Sequence, residues 1–252
     1  MHSRRDFVRG LVAAGSALAG CGVPTETSRG SVRLTARPAG TPANPLGPGV
    51  WPLGIETGPH DGKLLVPQSL VPGTPMPLVL ALHGANIDDS GPITFLGAYA
   101  EQAGFLLLSP DSYTYTWDAI IGPAGKDVAF IDLALRHVFE RCLVDPARIV
   151  VQGFSDGASY ALGLGLANGD LFSRVVAHSP GFIPTSESPH LGHPEFFVSH
   201  GRQDPVLPID YASRTIVPFL ELNGYSVNYV EYDGGHSVPA TITDAAVQWL
   251  MR

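Results

Sequence analysis

Most of the chain alternates between short apolar runs and longer segments with helical periodicity. Continuous apolar runs such as 78–82 and 105–109 are typical of strands that are buried on both faces of a parallel sheet. The predicted strands are 63–67, 78–82, 105–109, 149–153, 174–178, 196–199 and 227–232.

The segments between these runs predict helices. In 127–141, Val128, Ile131 and Leu135 fall at steps of three and four, which places them on one helical stripe. Strands joined through helices predict an α/β fold class, with a mostly parallel, twisted sheet and helices on both faces. The interval between His178 and Glu195 is too short for a large cap domain. The predicted helices are 94–103, 127–141, 155–167, 211–223 and 240–250.

Residues 1–20 show a different pattern, that of an export signal. Arg4 and Arg5 precede an apolar stretch, 11–18, that is too short and Gly-rich to span a bilayer stably. The paired arginines followed by Phe7 resemble the twin-arginine export signal. The segment therefore predicts an exported protein of the cell envelope.

The end of this segment, Leu18-Ala19-Gly20-Cys21, resembles the bacterial lipobox. In a lipobox the cysteine thiol carries diacylglycerol, and two acyl chains suffice for stable attachment to a membrane. Cys21 is therefore a predicted lipidation site and the only expected route to a membrane. The alternative is an ordinary cleaved signal with a chance cysteine at this position.

Composition and charge separate a tether from a folded domain. Residues 21–50 are rich in Pro and Gly and predict a tether, and residues 51–252 form the predicted domain. The chain has 252 residues, of which 44% are hydrophobic and 15% charged, a globular composition. Its net charge of −8 argues against nucleic acid or an anionic membrane surface as a partner. Cys142 falls within a helix pattern as a small buried side chain, and neither a disulfide framework nor a metal site is predicted.

The candidate nucleophile is Ser155. It lies in Gly153-Phe154-Ser155-Asp156-Gly157, a G-x-S-x-G motif that follows a buried strand and opens a helix. Small flanking residues allow a turn tight enough to expose the serine hydroxyl at a helix N-terminus, where developing negative charge is favoured. The alternative is a Gly-rich turn whose serine caps the helix.

A serine hydroxyl needs a base, and the base needs an orienting carboxylate. His236 follows the last predicted strand on a loop of small residues, and Asp204 lies just past the strand that ends near Ser199. The order Ser155, Asp204, His236 is that of hydrolases in which the serine lies at a strand-to-helix turn. Asp210 and Asp233 are competing carboxylates. His178 and His200 also end strands, where a structural role is expected.

Backbone N–H groups and aromatic side chains complete the candidate site. The N–H of Asp156 and that of Ala85 or Asn86, which follow a buried strand, are predicted to form an oxyanion hole. The loop from 109 to 126 holds three aromatic residues beside the strand ends. They either line an acyl or alcohol pocket or simply pack the loop. These predicted substrate-binding residues are Tyr113, Tyr115 and Trp117.

Four motifs together resemble the phospholipase/carboxylesterase branch of the α/β-hydrolases, with polyhydroxyalkanoate depolymerase-like and feruloyl-esterase-like enzymes as close relations. The resemblance covers about residues 60–250 and implies an α/β-hydrolase catalytic domain that cleaves carboxylic esters through an acyl-enzyme, without a metal or an organic cofactor. Asp156 departs from the pattern, because relatives often carry an amide or Gly there. The motifs are His83-Gly84, Gly153-Phe154-Ser155-Asp156-Gly157, His200-Gly201-Arg202-Gln203-Asp204 and Gly235-His236.

Two other functions remain open at this stage. A peptidase or amidase would use the same three residues on a different bond, and a non-catalytic surface lipoprotein would use the fold for binding. The expected partner is a small-molecule or polymeric ester.

Overall fold

A computed structural model describes residues 30–38, 40–55, 60–184 and 187–252. In this part of the chain, eight strands form one sheet with the order β1-β2-β4-β3-β5-β6-β7-β8. The strands are β1 Gly49–Pro52, β2 Gly62–Val66, β3 Met76–Leu82, β4 Leu106–Pro110, β5 Val144–Phe154, β6 Arg174–His178, β7 Glu195–Gly201 and β8 Val227–Tyr232. Strands β1 and β2 are antiparallel to their neighbours, and the strands from β4 to β8 pair in parallel.

The helices lie on both faces of this sheet. They are α1 Ser90–Ala103, α2 Asp118–Ile121, α3 Lys126–Arg141, α4 Asp156–Ala167, α5 Ser213–Leu222 and α6 Ala240–Leu250. Leu80 packs with α3 and α4 in one core, whereas its neighbour Val79 packs with α1 and α6 in the other. This alternation follows from the period of two residues in a strand. It confirms the predicted α/β fold with helices on both faces.

The predicted elements differ from the observed ones mainly at their ends. Helix α1 begins at Ser90, four residues before the prediction, because Pro92 is tolerated in a first helical turn. Strand β5 begins at Val144 and so includes Pro146, which was expected to separate it from α3. Met76 pairs with Val144 but Leu78 pairs with Ile149, so Pro146 lies in an irregularity and breaks no ladder bond. The predictions omitted β1 and α2.

The described part of the predicted tether packs against the domain. Val32 and Leu34 are buried in the core on the α3 and α4 side. Asn168, at the end of α4, accepts a hydrogen bond from the N–H of Leu34 at 2.8 Å and donates one to the carbonyl of Val32 at 2.8 Å. The folded part therefore begins before residue 51, which corrects the predicted boundary. The export signal and Cys21 lie outside the described residues.

The carboxyl edge of the sheet is open. Strands β6 and β7 are joined by residues 179–194, and the described part of this connection contains no helix. No helix in the described ranges is both long and apolar enough to cross a membrane. The loops that follow β3, β4, β5, β7 and β8 meet at this edge and form the candidate site.

Candidate active site

Ser155 occupies a strained turn between β5 and α4. Its φ of 57° and ψ of −121° lie in a region that residues with side chains rarely adopt. The turn is possible because a Cβ atom on Gly153 would lie 2.1 Å from the carbonyl oxygen of Gly157, and one on Gly157 would lie 2.3 Å from that of Leu82. Only glycine fits at these two positions. The N–H of Ser155 donates to the carbonyl of His178 at 3.0 Å, which fixes the turn on the end of β6.

The loop after β8 brings His236 to Ser155. The Nε2 atom of His236 lies 2.9 Å from the Oγ of Ser155, and its Nδ1 atom lies 2.7 Å from the Oδ2 of Asp204. An ionised carboxylate only accepts hydrogen bonds, so Nδ1 carries the ring proton and Nε2 presents its lone pair to the serine hydroxyl. The structure thus joins the three predicted side chains in one hydrogen-bonded chain.

Asp204 is held in place by its own loop. Its Oδ1 atom accepts the N–H groups of Val206 and Leu207, each at 2.9 Å. Burial alone would raise the pKa of Asp204, but the hydrogen bonds from Leu207, His236 and Val206 outweigh it and leave the pKa below its usual value. Asp204 is therefore ionised at neutral pH. His200 lies 3.3 Å from Oδ2 and donates to the carbonyl of Leu207 at 2.8 Å, which supports the loop.

The competing carboxylates point elsewhere. Asp210 pairs with Arg214 at 2.6 Å, and Asp233 pairs with Arg202 at 2.9 Å. Both side chains are well exposed, so neither takes the position beside His236. The geometry selects Asp204.

The loop after β3 passes close to Ser155 at Gly84, where a Cβ atom would lie 3.3 Å from the Cβ of Ser155. The N–H of Asn86 donates to the carbonyl of Tyr115 at 2.7 Å. This corrects the prediction for Asn86, because its N–H is not available to a substrate. Among the described residues, the N–H groups of Ala85 and Asp156 have no acceptor. The Asp156 side chain accepts a hydrogen bond from the hydroxyl of Thr116 at 2.7 Å.

The three aromatic residues of the loop after β4 have different environments. Trp117 is fully buried, and its Nε1 donates to the carbonyl of His83 at 2.9 Å. Tyr113 packs edge-on against Phe130, with ring centroids 6.1 Å apart. Trp117 therefore packs the loop against the core and does not contact substrate, contrary to the prediction. Tyr113 is half-buried and packs partly against the core, and its role in substrate binding stays a prediction. Tyr115 is 58% exposed, and its role in substrate binding stays a prediction.

The sequence reasoning did not find an apolar pocket beside His236. It has a volume of about 310 Å³ and lies between the loop after β3, helix α1 and the segment 236–238. Two large apolar side chains at its mouth, Ile87 and Phe95, are exposed in the structure, and the sequence pattern does not reveal that exposure. Within the described ranges, no cluster of three His, Cys, Asp or Glu side chains could hold a metal ion.

Comparisons with known proteins agree with this geometry. The family model described as phospholipase/carboxylesterase matches residues 128–251. Feruloyl esterase C of Emericella nidulans is 28% identical over 207 residues, which cover 69% of this chain and 74% of that protein. A probable feruloyl esterase C of Aspergillus oryzae is 31% identical over 144 residues, 57% of this chain and 52% of the relative, so the match spans about half of that protein.

The fold has solved counterparts. The crystal structure of esterase PE8 superposes with a TM-score of 0.61 at 22% identity, covering 76% of this chain and 97% of that structure. At this identity the likeness concerns the fold alone. The fold and the sequence matches together identify the chain as an α/β-hydrolase of the carboxylic ester hydrolase type, similar to the phospholipase/carboxylesterase family.

Proposed function

We propose that Ser155 is the nucleophile of this esterase and that Asp204 and His236 activate it. The observation that carries the proposal is the hydrogen-bonded chain from Asp204 through His236 to Ser155, with distances of 2.7 and 2.9 Å. His236 is partly exposed, so its imidazole can exchange protons with substrate and water, whereas the Asp204 side chain is fully buried.

The reaction proceeds in two steps. Nε2 of His236 takes the Ser155 proton as Oγ attacks the ester carbonyl carbon, and the tetrahedral intermediate then collapses to an acyl-enzyme while His236 protonates the departing alcohol. Water repeats the sequence: His236 takes a proton from water as the water oxygen attacks the acyl carbonyl carbon. The second tetrahedral intermediate then collapses, the acyl–Ser155 bond breaks, His236 returns the proton to Oγ of Ser155, and the carboxylic acid leaves. Asp204 keeps Nδ1 protonated and stabilises the imidazolium in both steps.

The N–H groups of Ala85 and Asp156 stabilise the oxyanion. Asp156 opens helix α4, so its N–H has no partner within the helix and lies at the positive end of the helix dipole. Each such donor typically lowers the barrier by about 2.7–4 kcal/mol. The carboxylate of Asp156 is turned toward Thr116.

The substrates are esters with short or aryl acyl groups. The described part of the connection between β6 and β7 contains no helix that could form a cap, and an open edge favours compact acyl groups over long chains. The relatives named feruloyl esterase C support an aromatic acyl group. Exposed Tyr115, beside the oxyanion loop, provides a ring against which such a group can stack. Nothing in the comparisons favours a peptidase or a non-catalytic protein.

A fluorophosphonate probe tests the nucleophile. The wild-type chain should be labelled and should hydrolyse p-nitrophenyl acetate, whereas Ser155→Ala should lose labelling and roughly 10⁶-fold in kcat. The matched control is Ser226→Ala, an exposed serine just before β8, which should behave as wild type. Unchanged labelling of Ser155→Ala would refute the proposal, and faster cleavage of peptidyl p-nitroanilides than of esters would favour the peptidase.

We also propose that the chain is exported and attached to a membrane through diacylglycerol on Cys21. The proposal rests on the sequence of residues 1–21, since two acyl chains give stable attachment. Expressed in a bacterium, the wild-type chain should partition into the detergent phase, and Cys21→Ala should remain in the aqueous phase. Equal partitioning of the two chains would contradict lipidation.

A further inference from the structure

The apolar pocket beside His236 lies on the α1 and α6 side of the sheet. Its volume of about 310 Å³ is within the range of small-molecule sites. Its walls come from Ile87 and Pro92 on one side and Val238 on the other, with Phe154 and the imidazole of His236 between them. The rings of Phe154 and His236 lie 4.8 Å apart, so the pocket directly adjoins the group that transfers the proton.

The mouth of this pocket is apolar and open to the surface. Ile87 is 43% exposed and Phe95 is 38% exposed, and no other part of the described chain covers these two apolar side chains. Both residues also line a wider groove of about 800 Å³, which shares Gly91 and Val238 with the pocket. A substrate group can therefore enter from solvent and reach the side of His236.

The floor of the pocket holds one polar side chain without a partner. Gln152 is 4% exposed and lies on β5, on the same face as Val150, which packs toward α1 and α6. Its side-chain amide makes no hydrogen bond within the described residues, although it lines the pocket. The amide atoms keep contact with the pocket space and are not sealed in the core, so a ligand in the pocket can hydrogen-bond to them.

The chemistry of the reaction decides which part of an ester reaches this pocket. His236 gives its proton to the departing alcohol oxygen, so the alcohol portion must leave the tetrahedral centre beside the imidazole. Helix α4 lies on the other face of the sheet, where the Asp156 carboxylate accepts the hydroxyl of buried Thr116 and Tyr115 is exposed. The acyl group lies on that side.

We propose that the pocket binds the alcohol portion of the substrate, and that this portion is an apolar or aryl group with one hydrogen-bonding group at its far end that pairs with Gln152. The inference rests on the proposed function and deepens it. It predicts esters of apolar alcohols rather than of polyols as preferred substrates, and it makes Val238 and Gln152 specificity residues.

Acetate esters of primary alcohols test the location of the alcohol. With the acyl group constant, kcat/KM for 2-phenylethyl acetate should exceed that for methyl acetate by roughly 10–100-fold. Val238→Trp narrows the pocket and should reduce this ratio at least about tenfold. Phe182→Ala, an exposed ring on the loop after β6, is the control and should leave the ratio unchanged.

A matched series with the acyl group varied separates the two halves of the ester. If Val238→Trp instead slowed methyl 3-phenylpropanoate and spared 2-phenylethyl acetate, the pocket would hold the acyl group and the proposal would be overturned. An unchanged ratio would overturn it as well. Ile87→Trp, at the other side of the mouth, replaces Val238→Trp if that variant does not melt cooperatively.

Gln152 is tested by adding a hydroxyl to the ring. Wild type should prefer 2-(4-hydroxyphenyl)ethyl acetate over 2-phenylethyl acetate by about tenfold, and Gln152→Leu should abolish or invert that preference. A preference that survives Gln152→Leu would refute the pairing. If the wild type hydrolysed p-nitrophenyl acetate no faster than Ser155→Ala, the proposed function itself would be refuted, so the two failures are distinguishable.

Discussion

Two loops at the catalytic edge contribute to the site in different ways. The loop after β8, residues 233–239, is held from both sides: the hydroxyl of Tyr232 donates to the carbonyl of Ser237, and the N–H of Gly234 donates to the side chain of Gln203 at 2.7 Å. It presents one side chain, His236, to Ser155. The loop after β4, residues 111–125, buries its largest side chain, Trp117, in the core.

The second loop acts through its backbone and its buried groups. The carbonyl of Tyr115 accepts the N–H of Asn86, and Trp117 donates to the carbonyl of His83, so this loop supports the segment that carries Ala85. Asp127 accepts the N–H groups of Tyr113 and Asp118 and shapes the same loop. One loop therefore contributes a reacting group and the other a scaffold. Changes in the first should affect rate, and changes in the second should affect stability.

The largest expected effect is on the reacting side. In Asp204→Asn, the amide nitrogen would face Nδ1 of His236 and favour the tautomer with the proton on Nε2, which cannot accept the Ser155 proton. The value of kcat should fall roughly 10⁴-fold. The melting temperature should change little compared with this loss, because Oδ1 can still accept the N–H groups of Val206 and Leu207.

The control for this variant is Asp210→Asn, which removes an exposed carboxylate paired with Arg214 and should keep the wild-type rate. If kcat for p-nitrophenyl acetate decreased by less than about tenfold in Asp204→Asn, the buried carboxylate would not set the tautomer of His236.

A smaller effect is expected on the scaffold side. Trp117 stacks on Tyr160 with ring centroids 5.3 Å apart and is fully buried. Trp117→Ala should lower the free energy of unfolding by about 3–5 kcal/mol, since it leaves a cavity and removes the bond to His83. The folded fraction should retain kcat within about tenfold, because no oxyanion donor is deleted.

Urea unfolding of Trp117→Ala and Tyr115→Ala compares the two neighbours. Tyr115 is exposed, so its loss should change the free energy of unfolding by less than about 0.5 kcal/mol. Equal effects of the two substitutions would remove the distinction between a buried scaffold and an exposed side chain within this loop.

This difference between the loops also explains what the sequence could predict. The strands before Ser155 and Asp204, and the one before His236, have clear apolar patterns, and parallel strands place their carboxyl ends at one edge. The positions of these residues at that edge could therefore be read from the chain. The direction of Trp117 could not, because a loop has no period that separates buried from exposed positions. The bond from Asn86 to Tyr115 joins two such loops and has no signal in the sequence.

The N-terminal segment shows a second limit of prediction. Its prolines indicate extended chain, which is correct, but extended chain can either lie free or pack against a domain. Val32 and Leu34 pack because Asn168 pairs with their backbone groups from a distant part of the sequence. The apolar alternation of these two residues was the available signal, although a segment this short carries little periodicity.

The smallest effect concerns His178, which ends a strand as His200 does. Its carbonyl accepts the N–H of Ser155, so His178 belongs to the scaffold. Burial lowers the pKa of His178 to about 4. Its pKa in the unfolded chain is about 6.5, so the unfolded state binds more protons between these values and stability falls as the pH decreases through this window. The loss should reach about 3 kcal/mol at pH 4 relative to pH 7.5.

His178→Gln, which cannot titrate, should flatten this part of the curve of unfolding free energy against pH, even if its stability at pH 7.5 is lower. The same slope in both chains would assign the acid sensitivity to other groups and would leave His178 without a titrating role in the scaffold, whereas a flattened slope would show that the strand end beside Ser155 requires a neutral imidazole.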